Sequence, residues 1–320
     1  ATPSPSAEVW RSMGVADTCT FEWDAEDEAV AVQVGTARTF FGCSLFGLFG
    51  TDFRTAIFKI SDPSNPASFT SKTVALSIDS GNATGPAAVV TSNILKVAGK
   101  TWTPGDFAPG VRTYYVLFQN QDVAFRIVRN GTDWIEIEGP ADLSGDSTAR
   151  AFVIYGDRIC WRGDGGTGPG SAGLLGSDYQ FGRILQAQVP PQATPDGYFT
   201  IGRAFLGLEV PIADDARSFL SGMKFRLLTN TDQDVSRGGI KVVRHFGRTG
   251  RVWEIVYPLE TTHELATKLN SLLGAIREEF VVQWDGADAN SCTLVRLVDA
   301  PEIEDSYGTF TSSWALEEVQ

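Results

Sequence analysis

The feature that most constrains this chain is a period of two. Apolar and polar residues alternate, or β-branched and aromatic residues cluster, in AVAVQV (29–34), RTAIFKI (54–60), TVALSI (73–78), VRTYYVLF (111–118), VAFRIV (123–128), TDWIEIE (132–138) and AFVIYGDRICW (151–161). The second half continues with RILQAQV (183–189), MKFRLLT (223–229), IKVVRHF (240–246), RVWEIVY (251–257), FVVQW (280–284), CTLVRLV (292–298) and GTFTSSWALEEV (308–319). Successive side chains of an extended strand point to opposite faces, so this alternation makes one face to bury and one to solvate. Gly, Pro, Asp and Asn separate the runs and supply the turns. The expected fold is mainly β (all-β to α+β), as two antiparallel sandwich or jelly-roll-like domains.

One segment breaks the period. Thr261 and Glu264 make a capping box, and Leu265, Leu269, Leu272, Leu273 and Ile276 follow on one helical stripe. The spacing predicts a helix over 261–277 covering one face of the second domain, with a shorter helical turn at 214–220. RGDGGTGPGSAGLLG (162–176) is too glycine-rich for helix or strand and reads as a linker or long loop. That predicts domains of 1–180, with a Pro/Ser-rich N-terminal arm, and 181–320.

Charge narrows the function. Against 26 basic side chains stand 39 acidic ones, a formal net charge of −13, whereas gripping phosphates needs clustered Lys and Arg. Cys19, Cys43, Cys160 and Cys292 show no metal-ligand spacing and read as buried thiols. ATPSPSAEVW lacks the basic and apolar regions of a signal peptide and resembles a start that has lost its initiator Met. No run approaches the ~18 apolar residues of a membrane span, so a soluble cytosolic product without membrane insertion is expected.

Chemical motifs are sparse. Gly168–Gly173 matches GxGxxG, but no helix pattern opens after it, and Arg162-Gly163-Asp164 is a chance tripeptide in the same run. His245 and His263 have no partner near them in the sequence, and no nucleophile elbow is present. The acids of 22–28 read as a solvated loop, with calcium chelation as the sharper alternative. Glu136 and Glu138 share one side of a strand beside Trp134 and Asp133, the grouping a polysaccharide hydrolase would use. No catalytic, cofactor or metal residues are expected, and the chain is read as not an enzyme.

Two stretches carry a resemblance. Residues 21–60, from FEWDAEDEAVAVQVG through TARTFFGCSLFGLFG to TDFRTAIFKISDP, resemble the discoidin-like jelly-roll front half of tailed-phage tail proteins. YFTIGRAFLGLEVPI (198–212) is similar to the iGR signature of those proteins, followed by strands, the helix at 261–277 and a terminal strand Ser313–Val319. The ordered set covers about half the chain and resembles siphophage-type tail-tip proteins, near the distal tail and baseplate-proximal minor tail proteins. The helix departs from the galectin-like second domain usual in distal tail proteins.

The resemblance implies a structural ring, hexameric or trimeric, joining the tail tube protein to the hub and the fibre or receptor-binding proteins. It implies residence in the virion tail after assembly in the host cytoplasm, with DNA passing through unbound. Gly202 would let the chain turn, and Arg203, Phe205, Leu206 and Trp314 are the interface candidates. The alternative is a carbohydrate-binding module attaching to a host surface, with Trp102 and Trp161 stacking on the glycan.

Overall fold

Strands with one apolar face are stable only where two such faces meet. The computed structural model describes residues 10–16, 18–27, 31–34, 37–41, 45–62, 64–83, 93–97, 99–107, 112–119, 121–138, 150–161, 181–207, 224–228, 231–235, 241–245, 250–259, 279–283, 292–298, 302–306 and 309–319. Among the described residues all regular elements are strands and every pairing is antiparallel, so the chain is mainly β as expected. The segments 162–176, 214–220 and 261–277 lie outside the described residues.

The chain forms two compact units, Ala1–Glu209 with Asp285–Ser291, and Val210–Trp284 with Cys292–Gln320. The sequence reading put the division near 180. It falls later because Ile184–Val189 is an inner strand of the first unit, hydrogen-bonded between Cys19–Asp24 and Thr55–Asp62. A strand with neighbours on both sides contributes its apolar residues to that unit's core, whatever loop precedes it.

The first unit is built around a sandwich. One sheet runs Cys19–Asp24, Ile184–Val189, Thr55–Asp62, Asn65–Ala75; facing it is a three-stranded sheet ordered Arg158–Trp161, Leu45–Phe49, Arg203–Gly207. Alternation sends Ala56, Phe58, Ile60, Leu185, Ala187 and Val189 inward from the first sheet. Phe46, Leu48, Ile159 and Trp161 meet them from the second. Aromatic rings join the layers: Trp23 and Phe58 pack edge-on against Phe46, with centroids 4.9 and 4.7 Å away. Trp161 stacks on Phe58 at 6.0 Å.

In a six-stranded sheet, Asp79–Ala83, Arg150–Gly156, Tyr114–Phe118, Phe125–Asn130, Trp134–Ile137 and Ile94–Lys96, the strands Arg150–Gly156 and Tyr114–Phe118 are buried on both faces. Tyr115, Leu117 and Tyr155 belong to the sandwich core, while Val116, Phe118, Phe152 and Ile154 alternate with them into a second core. Trp102, Phe107, Ile127, Ile135 and Leu95 complete that second core. Two-sided burial explains why YYVLF and AFVIY read as continuous apolar runs rather than strict alternation.

The second unit holds a sheet ordered Lys224–Leu228, Gly250–Leu259, Thr309–Glu318, Cys292–Leu297, Glu279–Gln283. Glu302–Ser306 also pairs with Thr309–Glu318, and Thr231–Val235 with Lys241–His245. Val252, Trp253, Leu294, Val295, Trp314 and Leu316 are its buried apolar residues.

Candidate functional site

The segment with the iGR signature lies on one side of the three-stranded sheet, outermost among the described strands. Arg203–Gly207 pairs along its length with Leu45–Phe49, whose other neighbour is Arg158–Trp161. Just before it, Gly202 passes so close to Gly50 that a Cβ on Gly50 would sit 3.2 Å from the Gly202 Cα. Gly50 also has φ 65°, a left-handed conformation that disfavours a side chain. The turn the sequence assigned to Gly202 is thus a crossing shared by two glycines.

Alternation divides the signature. Ala204 and Leu206 turn toward the sandwich core and pack against it. Arg203 and Phe205 occupy the opposite face and are half-buried, with Phe205 lying along its own strand over Gly207. Across the sheet Arg203 registers with Phe49 and Arg158, and Phe205 with Gly47 and Cys160. The Arg158 guanidinium sits 5.9 Å from the Phe49 ring centroid.

Beside this crossing lies a buried polar cluster that sequence reasoning missed. Asp52 is wholly buried; its Oδ1 accepts the Thr200 N–H at 2.9 Å, and its Oδ2 has no hydrogen-bond partner. The Tyr155 hydroxyl donates to the Asp52 main-chain oxygen at 3.1 Å. Burial pushes the Asp52 carboxyl up to about 6, with repulsion from Asp196 adding to it and the Thr200 bonds opposing it. Burial likewise raises Tyr115 and Tyr155, so both phenols stay neutral. Arg126 pairs with Asp196 at 2.5 Å and reaches Glu138 at 3.8 Å. The only signal in the sequence was an acid next to Phe53, which alternation alone would place at a turn.

Burial disfavours the charged form of an enclosed carboxyl of this kind. Acid–base work needs a substrate atom within hydrogen-bond reach, and Asp52 is 0 % exposed.

No family model, curated protein or solved structure matches this chain.

The remaining candidates take definite places. Leu206 is half-buried and faces the sandwich core, and Trp314 is buried on the central strand of the second unit on the same side as Leu316. The proposed glycan-stacking pair is corrected too. Trp161 is 2 % and Trp102 9 % exposed, each packed among aromatic rings, so neither presents a face to a sugar. A tryptophan beside a turn in sequence is often the plug of the core behind that turn, because its large area is most stabilising inside.

The acid groupings are taken up by arginines. Glu136 pairs with Arg129, Glu138 with Arg126, and the Arg129 guanidinium lies 5.7 Å from the Trp134 ring centroid. Arg183 holds Asp24 at 3.4 Å and Glu26 at 3.1 Å, which makes this part of the 22–28 cluster an ion-paired strand end. Among the described residues no three His, Cys, Asp or Glu side chains group to hold a metal. Among those residues, too, no helix is long and apolar enough to cross a membrane. Cys160 and Cys292 are buried and Cys19 is half-buried, while Cys43 lies outside the described residues. His263, the GxGxxG match and the Arg162–Asp164 tripeptide also lie outside them.

Asp79 is a structural hub rather than a site. Its Oδ2 accepts the Trp102 Nε1–H and its Oδ1 the Lys100 ammonium, both at 2.6 Å. Burial pushes this carboxyl up, but those bonds outweigh it and hold the group below its ordinary value. Asp79→Asn should therefore lower stability by about 1–2 kcal/mol at neutral pH, read as a reduced urea midpoint. The wild-type advantage is present above the ordinary Asp range and fades as pH falls through the lowered value. An unchanged midpoint at pH 7 would remove the hub assignment.

Proposed function

We propose that this chain is a non-enzymatic structural protein of a tailed-phage tail tip. It would form a ring that joins the tail tube to the hub and the receptor-binding apparatus. The observation that carries the reading is the landing place of the iGR signature: among the described residues it forms an outer strand of its three-stranded sheet, with Arg203 and Phe205 on the face away from the sandwich core. Head-to-tail contacts through such strands and their loops close into rings by rotation.

The ordered resemblance over about half the chain and the antiparallel sandwich support the same reading. So does charge, since each copy in a ring brings a net −13. Acids facing a lumen repel DNA phosphates and let a genome slide through without adhering. The virion tail is the proposed residence. The carbohydrate-binding alternative loses its stacking pair to the core, and no described observation favours it over the ring.

Light scattering behind size exclusion, across a concentration series, tests the ring. The expected mass is six or three times that of the 34.6 kDa chain, with rings in negative stain. Phe205→Asp should shift the distribution toward monomer by tenfold or more in dissociation constant, with little change in melting temperature. Monomers at every concentration, with no rings and no tail particles containing the chain, would sink the proposal.

A further inference from the structure

Residues 199–202 run between two holders. On one side is a strap from the N-terminal end: Trp10 registers with Ile201 and Arg11 with Thr200. The Ser12 N–H donates to the Phe199 oxygen at 2.9 Å, and the Phe199 N–H donates to Ser12 Oγ at 2.8 Å. On the other side the Thr200 N–H donates to Asp52 Oδ1 and the Gly202 N–H to the Phe49 oxygen, both at 2.9 Å. Successive backbone groups thus alternate between the strap and the Phe49–Asp52 segment, and of these the Thr200 N–H reaches the acid side chain. The strap also packs on this unit, with Trp10 edge-on against Phe21 at 4.4 Å and the Arg11 guanidinium 5.3 Å from the Tyr198 ring centroid, although Trp10 is 40 % exposed and Met13 projects fully into solvent.

Asp52 is poorly placed to stay charged. Arg54 neighbours it along the chain; Tyr155 and Asp157 face it from the end of Arg150–Gly156, Tyr115 from the adjoining strand, and Asp196 from the segment before Phe199. Arg126 pairs with Asp196 and Arg158 with Asp157 at 3.3 Å, and among the described residues no cation is bonded to Asp52. Its Oδ2 and the neighbouring Thr51 Oγ1 are both buried without a hydrogen-bond partner. An ionised carboxylate here is held by the Thr200 N–H and, more weakly, by the Thr200 hydroxyl and its own main chain; these do not offset its burial, and movement of residues 199–202 would admit water to it.

We propose that Asp52 is a pH-sensitive latch: its neutral form keeps residues 199–202 seated and the strap Trp10–Ser12 paired, and its ionisation opens them locally. The latch goes beyond the ring reading and does not depend on it. Opening should rise as the pH passes upward from the ordinary Asp value of 3.8 through about 6, then level off. If the opened state restores the ordinary value, opening grows roughly twenty- to thirtyfold between about pH 4.5 and 7.5.

Hydrogen exchange on the full chain, as protection factors corrected for intrinsic rates, reads this at the amides of 10–12 and 199–202. Wild type should lose protection by about that factor, while Asp52→Asn should stay flat. Equal loss in both, or none in wild type, overturns the latch. Should the variant fail to fold, a carbon-13 titration of the wild-type Asp52 carboxyl decides. A value near 6 supports the latch, and one near the ordinary 3.8 overturns it.

Discussion

Trp161→Ala is expected to destabilise the first unit by about 4 kcal/mol, enough to bring its unfolding midpoint far down in a urea titration followed by circular dichroism. The side chain is 2 % exposed, stacks on Phe58, and fills the gap between the two layers of the sandwich. Truncation removes that buried area and leaves a cavity that two hydrogen-bonded sheets cannot close by relaxing. Trp161→Phe gives the sharper comparison. The Trp161 Nε1–H is buried without a hydrogen-bond partner, so phenylalanine removes an unsatisfied donor while keeping most of the ring contact. The Phe variant should recover more than half of the loss. An Ala variant with an unchanged midpoint would show that the ring is not in the core.

Asp52→Asn should raise stability, and by an amount that depends on pH. The native carboxyl is raised from 3.8 to about 6, so between those values the folded state holds a proton that the unfolded state has lost. Stability from this group is therefore greatest below the lower value and falls as pH rises to the upper one. Two pKa units correspond to about 3 kcal/mol at full ionisation. Asparagine mimics the neutral acid at every pH, and its Oδ1 can still accept the Thr200 N–H. The expected result is a variant melting roughly 6–10 °C above wild type at pH 8, with the gap closing near pH 4. Taking the difference between the two proteins cancels the opposite trend of Asp62 and Asp79, whose carboxyls lie below the ordinary value. A variant less stable than wild type at pH 8 would mean that the Asp52 charge is compensated after all.

Strand positions were legible where alternation was strong. RILQAQV became Ile184–Val189, and RTAIFKI became the strand Thr55–Asp62. Strands without an apolar face were harder to see. Asn65–Ala75 begins with Asn-Pro and is rich in Ser and Thr, and Asp79–Ala83 has no large apolar residue. Both are outermost in their sheets, where a proline costs little and packing asks for little hydrophobicity. Leu45–Phe49 was blurred by Gly47, yet Gly47 is needed there because a Cβ would collide with the Phe49 ring.

The candidate residues show the same division. Arg203 and Phe205 fell on the side of the strand that their alternation with Ala204 and Leu206 requires, since face assignment is local. Trp314, Trp102 and Trp161 went into cores and Leu206 packs against one half-buried, because a side chain's exposure depends on what crosses over it from distant sequence. Tyr155 meets Asp52 across 103 residues and Thr200 meets it across 148. No window of sequence contains those separations.

By itself, then, the sequence determined a mainly β chain with alternating faces and a formal net charge of −13. The period of two acts through nearest neighbours on one strand, and net charge is a sum, so neither needs a fold to be read. The tertiary structure decided where the first unit ends, which tryptophans are core, and that an unremarkable aspartate became a buried acid. Those outcomes rest on burial and on hydrogen bonds between segments far apart in the chain, and they exist only once the sheets have closed on one another.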